Sequence, residues 1–281
     1  MAYAISSVVP IGEDVFMPII GLGTFLSEPG EKTRNAVRWA LEAGYRHVDT
    51  ARIYGNEKDV GEGIKESGIP RQEVFITTKV WNDDQGYDST LKACEESLKR
   101  LGVDYIDLYL IHWPVPEKRL ETWKALIRLR EEGLVRAIGV SNFMVRHLEE
   151  LMARSDVPPA VNQVEISPFI QRKALVEYCR KQGIVVEAYS TLSRGQRLGD
   201  PRLLAMAGKY GKTPAQIALR WAIQEGIVVI PKSVHRERIL ENAAIFDFEL
   251  TEEDRKEISR WDEHFSTLPP SWEPETSTQW D

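Results

Sequence analysis

The stretch Ile106-Asp107-Leu108-Tyr109-Leu110-Ile111-His112-Trp113-Pro114 contains the pattern that decides the fold of this chain. Its first six residues form a short and largely apolar run, which is typical of a parallel β-strand buried on both faces. His112 and Trp113 follow this run directly. The stretch therefore predicts a buried strand that carries an imidazole and an indole at its carboxyl end.

Runs of the same kind recur along the 281 residues, and they are rich in valine and isoleucine. Eight candidate strands occur at residues 19–22, 47–48, 74–77, 106–111, 135–140, 161–163, 184–188 and 227–230. Helical patterns lie between them at residues 31–42, 87–100, 119–131, 145–152, 172–181 and 213–224. Eight strand-helix units over 281 residues give 281/8, or about 35 residues each, which matches a (β/α)8 barrel with modest insertions.

Helix boundaries are also marked in the sequence. A glycine follows a helix and precedes the next strand at Gly44, Gly68, Gly102, Gly133, Gly183 and Gly226. The run Thr213-Pro214-Ala215-Gln216 can open a helix, because threonine caps it, proline fits its first position and glutamine closes the capping box.

A doubly wound sheet is the competing α/β architecture, and it usually carries Gly-x-Gly-x-x-Gly after its first strand. The stretch Gly21-Leu22-Gly23-Thr24-Phe25-Leu26 supplies two glycines and lacks the third. We therefore predict an α/β fold, a (β/α)8 TIM barrel in one domain over residues 1–281. Residues 8–18 are expected to form a short hairpin at the bottom of the barrel. Residues 250–281 should form a capped helix and a loop.

Composition narrows the class of protein. The net charge of −7 argues against nucleic acid or an anionic membrane as the main partner. No apolar run reaches the roughly 20 residues that span a bilayer, and the N-terminus does not resemble a secretory signal. The only two cysteines, Cys94 and Cys179, are expected to be free thiols in a reducing compartment, so the cytoplasm is the expected location.

Four polar residues stand at or near the ends of three successive predicted strands: Asp49, Tyr54, Lys79 and His112. Side chains at the carboxyl ends of barrel strands point into one shared mouth, and neighbouring strands lie roughly 5 Å apart. We therefore expect an acid, a phenol, an ammonium and an imidazole to converge there.

Together these four groups can move a proton onto a carbonyl oxygen. A hydride that arrives at a carbonyl carbon leaves negative charge on the oxygen, and a free phenol with a pKa of about 10 is a sluggish donor at neutral pH. We expect Lys79 to lower the pKa of Tyr54, and Asp49 to hold Lys79 in place. His112 would donate to the developing oxyanion, which is worth roughly 3–4 kcal/mol.

Other chemistries fit less well. Tyr54 and Lys58 match the Tyr-x-x-x-Lys pair of short-chain dehydrogenases, but the glycine-rich nucleotide turn of that fold is missing. The five histidines show no ligand spacing such as His-x-x-x-His, so we expect no catalytic metal. No serine stands in Gly-x-Ser-x-Gly. Lys79 is therefore the expected partner of Tyr54.

Six motifs of the chain resemble the signatures of the aldo-keto reductases. They are Gly44-Tyr45-Arg46-His47-Val48-Asp49-Thr50-Ala51, Tyr54-Gly55-Asn56-Glu57, Ile76-Thr77-Thr78-Lys79-Val80-Trp81, Asp107-Leu108-Tyr109-Leu110-Ile111-His112-Trp113-Pro114, Ile138-Gly139-Val140-Ser141-Asn142-Phe143 and Ile230-Pro231-Lys232-Ser233-Val234. They occur in the right order from about residue 18 to residue 250. The length and compact loops are similar to the branch that includes 2,5-diketo-gluconic acid reductases and prostaglandin F synthases.

The resemblance implies reduction of a small carbonyl compound with NADPH, with Tyr54 as general acid, Lys79 and Asp49 as its tuners and His112 as carbonyl orienter. Residues that match cofactor contacts of the family are Ser141, Asn142 and Gln163 for the carboxamide, Tyr189 for stacking on the nicotinamide, Ser190 and Leu192 in the pyrophosphate loop, Lys232, Ser233 and Arg238 at the 2′-phosphate, Glu241 and Asn242 at the adenine, and Val234 as a further cofactor contact. Two charged hydrogen bonds of roughly 1.5–3 kcal/mol each would favour NADP over NAD by about a hundredfold or more.

Two positions depart from the family pattern. Thr191-Leu192-Ser193 stands where the family usually has Pro-Leu-Gly, in the loop that cradles the pyrophosphate. Ser167-Pro168 stands where the family usually has His-Pro. The first departure should affect the grip on the cofactor, and the second the support of the barrel mouth.

Aromatic residues near the strand ends predict the substrate pocket. Phe25, Trp81 and Trp113 are expected to form its walls together with His112, and at least one of Trp272 and Trp280 should fold over the mouth.

A non-catalytic cofactor-binding barrel, acting as a regulatory or structural subunit, is the alternative, because some relatives of the family are channel subunits or lens proteins. Oxidation of NADPH with 4-nitrobenzaldehyde distinguishes the two hypotheses. Members of the resembled family are usually monomers, so the resemblance implies that this chain is a monomer.

Overall fold

The apolar runs form the strands of a closed barrel in the computed structural model, which describes residues 3–281. Two short hairpin strands come first, β1 (Val8–Pro10) and β2 (Phe16–Pro18). The barrel strands that follow are β3 (Leu22–Gly23), β4 (His47–Asp49), β5 (Phe75–Val80), β6 (Ile106–Ile111), β7 (Val135–Ser141), β8 (Val161–Glu165), β9 (Val185–Tyr189) and β10 (Val228–Val229).

Each barrel strand pairs in parallel with the next strand along the chain, from β3 to β10. Bridges between Ile20 and Val229 and between Gly23 and Lys232 join the first strand to the last. Glycine is required at this seam, because a Cβ on Gly23 would lie 2.7 Å from the carbonyl oxygen of Ile230. The predicted (β/α)8 barrel is confirmed.

Ten α-helices surround or extend the strands within the described residues 3–281. They are α1 (Glu31–Glu42), α2 (Glu57–Glu66), α3 (Tyr87–Leu101), α4 (Arg119–Glu131), α5 (Val145–Ala153), α6 (Lys173–Lys181), α7 (Pro201–Tyr210), α8 (Pro214–Gln224), α9 (Arg236–Ala243) and α10 (Glu252–Ile258). Two helices, α7 and α8, lie between β9 and β10. The six helical patterns of the sequence are confirmed, and α2 is the helix that Gly68 marked without bounds. Helices α7 and α9 were not predicted.

The bounds of α2 could not be given from the sequence because two glycines interrupt its pattern, and glycine disfavours a helix interior. Packing explains both glycines. A Cβ on Gly61 would lie 1.9 Å from the carbonyl oxygen of Leu101 in α3, and a Cβ on Gly63 would lie 2.8 Å from that of Arg34 in α1. The close approach of three helices outweighs the local propensity.

The predicted hairpin packs under the barrel. Ile11 and Met17 are buried against Phe75, Leu108 and Val228 near the amino ends of the strands. The mouth at the opposite end is therefore the open end of the barrel.

The predicted helix caps are also present. Thr213 and Gln216 form the capping box of α8, with bonds of 3.0 and 3.3 Å. Thr251 caps α10 by accepting from the backbone of Asp254 at 3.2 Å.

Cys94 and Cys179 are both buried and free. Within residues 3–281, no helix is long and apolar enough to cross a membrane.

Candidate active site

The barrel brings the four predicted catalytic residues together at its mouth. Asp49 is the last residue of β4, Lys79 is the fifth of six in β5, and His112 follows β6 directly. Tyr54 ends a short 3-10 helix, Arg52–Tyr54, that follows β4. The two aromatic rings of Tyr54 and His112 meet edge to face, with centroids 5.8 Å apart.

Lys79 lies at the centre of this group and is fully buried. Its Nζ donates to both carboxylate oxygens of Asp49 and to the carbonyl oxygen of Thr50, each at 2.8 Å. The same atom lies 3.4 Å from the hydroxyl of Tyr54. Burial is the largest single influence on Lys79 and favours the neutral amine. The nearby acidic groups, with Asp49 first among them, together outweigh burial and raise the pKa of Lys79, so it is an ammonium at neutral pH.

Lys58, the alternative partner of Tyr54, lies on the surface. Its side chain is 76% exposed, and its Nζ is 3.7 Å from Glu62 on the next turn of α2. The choice of Lys79 over Lys58 therefore agrees with the geometry.

The segment that carries Tyr54 is held by buried polar residues. Asn56 accepts a hydrogen bond from the Thr50 hydroxyl at 2.8 Å and donates to the carbonyl oxygen of Thr24 at 3.0 Å. Glu57 accepts from Thr78 at 2.6 Å. These contacts explain the Tyr54-Gly55-Asn56-Glu57 motif, because two of its residues fix the position of the phenol.

The pKa of Tyr54 departs from the expectation. Burial raises the pKa of the Tyr54 phenol, and the ammonium of Lys79 is the largest influence that opposes this shift. The pKa of Tyr54 is therefore raised and not lowered as expected, because the loss of solvation outweighs the charge of the Lys79 ammonium. The phenol keeps its proton at neutral pH, as a general acid must.

His112 is a neutral imidazole in this environment. Burial and the nearby charge of Lys79 hold the pKa of His112 well below its usual range. Its Nδ1 is buried without a hydrogen-bond partner in residues 3–281. A buried N–H without a partner is rare in proteins, so the ring proton belongs on Nε2, where it can be donated to a ligand.

A further carboxyl lies beneath the four residues, and sequence reasoning missed it. Glu187 of β9 is fully buried. Nε2 of Gln163 donates to Oε2 of Glu187 at 2.6 Å and to Oδ2 of Asp49 at 2.8 Å. Burial and the charge of Asp49 raise the pKa of Glu187 to about 8. The signal in the sequence was a single glutamate inside the apolar run 184–188.

The residues predicted to contact the carboxamide lie beside His112. Asn142 donates to the carbonyl oxygen of His112 at 3.0 Å and to Ser141 at 3.1 Å. Tyr189 donates to Asn142 at 2.7 Å, which fixes the orientation of its ring. Asn142 adopts a left-handed backbone with φ of 63°, which suits asparagine better than most residues.

The loop after β9 contains the first departure from the family pattern. Ser190, Ser193 and Arg194 have φ values of 52°, 49° and 51°. Ser193 thus takes a left-handed conformation at the position where the family usually has glycine. The loop reaches across the mouth, because the guanidinium of Arg194 lies 5.3 Å from the ring centroid of Phe25. Leu192 is half-buried at its centre.

The predicted adenosine end follows β10. Lys232 and Arg238 are exposed and form no salt bridge within residues 3–281, so their charges are available to an anion. Ser233 and Asn242 are buried and Val234 is half-buried. Glu241 accepts from Thr213 at 2.8 Å, which ties α9 to α8.

Aromatic side chains form one wall of the mouth. The Trp81 ring lies 5.2 Å from His112 and stacks on Trp272 with centroids 6.1 Å apart and an interplanar angle of 11°. Trp113 stacks on Trp280 at 4.9 Å. Both tail tryptophans therefore lie at the mouth. Phe25 packs on Tyr54 from another side at 5.1 Å.

Buried charged residues fasten this tail to the barrel. Glu165, at the end of β8, accepts from Ser266 at 2.6 Å and from the backbone of Thr267 at 2.9 Å. Arg172 donates to Glu273 at 2.7 Å. The second departure, Ser167, forms a tight turn through backbone hydrogen bonds with Ile170.

Metal ligands are not grouped in the structure. Within residues 3–281 there is no cluster of three or more His, Cys, Asp or Glu side chains that could hold a metal ion.

Comparison with known proteins identifies the class to which this fold and site belong. Residues 19–263 match the model of the Aldo/keto reductase family. The chain belongs to this family.

The chain is also similar to individual members of the family. It is 52% identical over 258 residues to a 9,11-endoperoxide prostaglandin H2 reductase of Trypanosoma cruzi (strain CL Brener), covering 91% of each chain. It is likewise 52% identical over 258 residues to a glyoxal reductase of Bacillus subtilis (strain 168), covering 92% of this chain and 94% of the relative. The crystal structure of a Bombyx mori aldo-keto reductase in complex with NADP superimposes with a TM-score of 0.90 at 39% identity, covering 99% of both chains.

Proposed function

We propose that this oxidoreductase of the aldo/keto reductase family reduces aldehydes or ketones to alcohols with NADPH. The observation that carries the proposal is the contact between Lys79, Asp49 and Tyr54 beside a neutral His112. The family and the NADP complex of the Bombyx mori relative support NADPH as the cofactor.

The chemistry follows from the roles of the four residues. When bound, NADPH would provide the hydride that the carbonyl carbon accepts. Tyr54 donates its proton to the carbonyl oxygen, and Lys79 stabilises the phenolate that remains. His112 donates from Nε2 to the same oxygen and so orients the carbonyl group. Asp49 holds Lys79 in place through two hydrogen bonds of 2.8 Å.

The residues present fit a phosphorylated dinucleotide. Lys232 and Arg238 lie between the end of β10 and the first turn of α9, and neither forms a salt bridge with another residue from 3 to 281, so both charges are available to a phosphate. Ser141, Asn142, Gln163 and Tyr189 form a hydrogen-bonded group beside His112, where they would hold the nicotinamide end of the cofactor. We propose that Ser190, Leu192, Ser233, Val234, Glu241 and Asn242 complete the cofactor site.

Turnover is the decisive test of the proposed function. We expect the purified chain to oxidise NADPH, followed by its absorbance, when an activated aldehyde such as 4-nitrobenzaldehyde is added. Tight binding of NADPH without turnover of any aldehyde or ketone in a panel would contradict the enzymatic function.

Arg238→Ala should weaken NADPH binding more than NADH binding. The guanidinium is proposed to contact the 2′-phosphate, and one charged hydrogen bond is worth roughly 1.5–3 kcal/mol. We therefore expect the Kd of NADPH to rise by a factor of about 10 to 100 while that of NADH changes less than about twofold. Fluorescence titration with each cofactor measures both values.

Arg236→Ala is the matched control for this prediction. It removes the same charge from the same helix, but two residues are about 200° apart around an α-helix, so Arg236 lies on the opposite side from Arg238. A control variant that weakens NADPH equally, or an Arg238→Ala variant that weakens both cofactors equally, would place the 2′-phosphate elsewhere.

Trp272→Ala should change the choice of substrate. Trp272 stacks on Trp81 and meets Trp113 edge to face at 5.0 Å, so it closes an aromatic wall beside His112. An aromatic pair contributes roughly 0.5–1.5 kcal/mol, so kcat/KM for 4-nitrobenzaldehyde should fall up to about tenfold. The value for glyoxal, which cannot stack, should change less than about threefold.

Trp272→Phe retains an aromatic ring and is the matched control. Its kcat/KM for the aromatic aldehyde should stay close to that of the wild type. Equal losses for both aldehydes in Trp272→Ala would show that the tail supports the mouth without contacting the substrate. Glyoxal is chosen because the chain is similar to a glyoxal reductase of Bacillus subtilis.

We further propose that the chain acts as a single barrel domain and as a monomer in the cytoplasm. The two buried free thiols fit a reducing compartment. Light scattering during size-exclusion chromatography tests the monomer, and a dimeric mass would contradict it.

A further inference from the structure

One amide connects two buried carboxyl groups beneath the proposed catalytic residues. We propose that Glu187 is a positioning residue of the cofactor site, which together with Asp49 engages both hydrogens of the Gln163 amide and so presents the Gln163 carbonyl oxygen to the nicotinamide carboxamide. This inference rests on the NADPH site proposed above. It assigns a role to a strand residue that lies outside the motifs of the sequence.

The geometry fixes the orientation of the amide. Both contacts of Gln163, at 2.6 Å to Glu187 and 2.8 Å to Asp49, involve the same nitrogen, Nε2. An amide nitrogen carries two hydrogens, so the two carboxyl groups occupy both of them. If the amide were flipped, its carbonyl oxygen would face the Asp49 carboxylate without a hydrogen. The carbonyl oxygen is therefore the group left to accept a hydrogen bond from the cofactor.

The charges around Glu187 explain why two carboxyl groups can share this position. One ammonium, Lys79, acts on both carboxyl groups, and of the two it donates hydrogen bonds to Asp49 and not to Glu187. His47 is 3.7 Å from Glu187, and burial lowers the pKa of that imidazole to about 3, so it adds no charge. Burial raises the pKa of Glu187 to about 8, so its carboxyl is largely protonated at neutral pH.

A neutral Glu187 also benefits the phenol. A negative charge on Glu187 would raise the pKa of Tyr54 further, in addition to the effect of burial. A protonated carboxyl can still accept the hydrogen bond from Gln163 without adding charge to the site. A neutral hydrogen-bond acceptor at position 187 therefore serves both Gln163 and Tyr54. A glutamine at this position should supply such an acceptor too.

Affinity for NADPH in the absence of any carbonyl substrate tests the role of Glu187. In Glu187→Leu, Gln163 loses one of its two acceptors and its amide can rotate. We expect the Kd of NADPH to rise about tenfold, as for one misplaced hydrogen bond. Glu187→Gln keeps a neutral acceptor and should hold the Kd within about twofold of the wild type. Unchanged affinity in Glu187→Leu would overturn the proposal.

Two further variants separate positioning from general loss of packing. Thr77→Val removes a polar atom from the same buried layer, where Thr77 contacts His47 at 3.0 Å and not Gln163. It should lower the Tm and leave the Kd within about twofold. In a Gln163→Leu background, Glu187→Leu should weaken NADPH no further, because it acts through the amide. Additive losses in the double variant would overturn the proposal.

The pH dependence of stability gives a readout that needs neither cofactor nor turnover. The folded pKa of Glu187 lies above its ordinary value of 4.5, so its contribution to stability is complete below about pH 4.5 and is lost as the pH rises toward 8. The Tm of Glu187→Gln relative to wild type should therefore rise by roughly 5 °C between pH 5 and pH 8.5.

The pH dependence of the Tm and the affinity for NADPH together distinguish failure of this inference from failure of the proposed function. A constant difference in Tm between pH 5 and pH 8.5 would mean that Glu187 is not protonated in the fold. An ionised Glu187 would still accept from Gln163, so the inference itself is overturned by unchanged NADPH affinity in Glu187→Leu, even in a fully active reductase. If all these variants give the predicted Kd and Tm values but the chain reduces no aldehyde, only the proposed reaction is contradicted.

Discussion

Tyr54→Phe should reduce kcat for carbonyl reduction by on the order of a thousandfold, because the variant lacks the only proposed proton donor at the carbonyl oxygen. The phenyl ring retains the volume of the phenol and its contacts with Phe25 at 5.1 Å and His112 at 5.8 Å. The cofactor residues remain in place. We therefore expect the Kd of NADPH to stay within about twofold of the wild type.

Steady-state kinetics with 4-nitrobenzaldehyde and fluorescence titration of NADPH measure the two quantities separately. Tyr87→Phe removes a phenolic hydroxyl from the exposed start of α3 and should change neither. A loss of NADPH affinity in Tyr54→Phe comparable to the loss in kcat would show that Tyr54 belongs to the cofactor site. Full activity would assign the proton to another donor.

The strand ends were predictable because a parallel strand buried on both faces has a recognisable composition. Asp49, Lys79 and His112 interrupt or follow such runs, and the barrel geometry then requires that they converge. Tyr54 was predictable only through its motif, since nothing in a short loop fixes where a side chain points. In the structure, Asn56 fixes the position of this loop, because its side chain forms hydrogen bonds with Thr24 and Thr50.

Other features depend on contacts between distant residues and leave little trace in local sequence. Helix α2 contains glycines because three helices approach closely at Gly61 and Gly63. Glu187 lies 138 residues from Asp49 in sequence (187 minus 49) and reaches it through Gln163. A single glutamate in an apolar strand was the one visible sign of this network.

The direction of the Tyr54 pKa was wrong for a related reason. Sequence reasoning identified the charge of Lys79 but could not measure how far the phenol is removed from water. Loss of solvation and an opposite charge act on the same phenol with opposite signs. The structure decides the balance, because burial at the mouth outweighs a single ammonium whose charge is shared with Asp49.

The role of the Lys79 charge is therefore best tested by removing it. Lys79→Met keeps an unbranched side chain in a fully buried position and deletes the ammonium. The phenol of Tyr54 then loses the main influence that opposes the rise of its pKa, so kcat should fall by on the order of a hundredfold or more. Asp49 also loses its counter-ion, and an unpaired buried charge costs about 3–5 kcal/mol of unfolding free energy.

The double variant Lys79→Met/Asp49→Asn separates these two effects. It removes the unpaired carboxylate, so thermal unfolding should return toward the wild-type Tm while kcat stays low. In Lys79→Met alone, the pKa of Asp49 is raised further in the fold, so stability should be lost as the pH rises from 5 to 8. A single variant equally destabilised at both pH values would mean that Asp49 is not a buried charge. Recovery of kcat in the double variant would mean that the ammonium serves the fold and not the phenol.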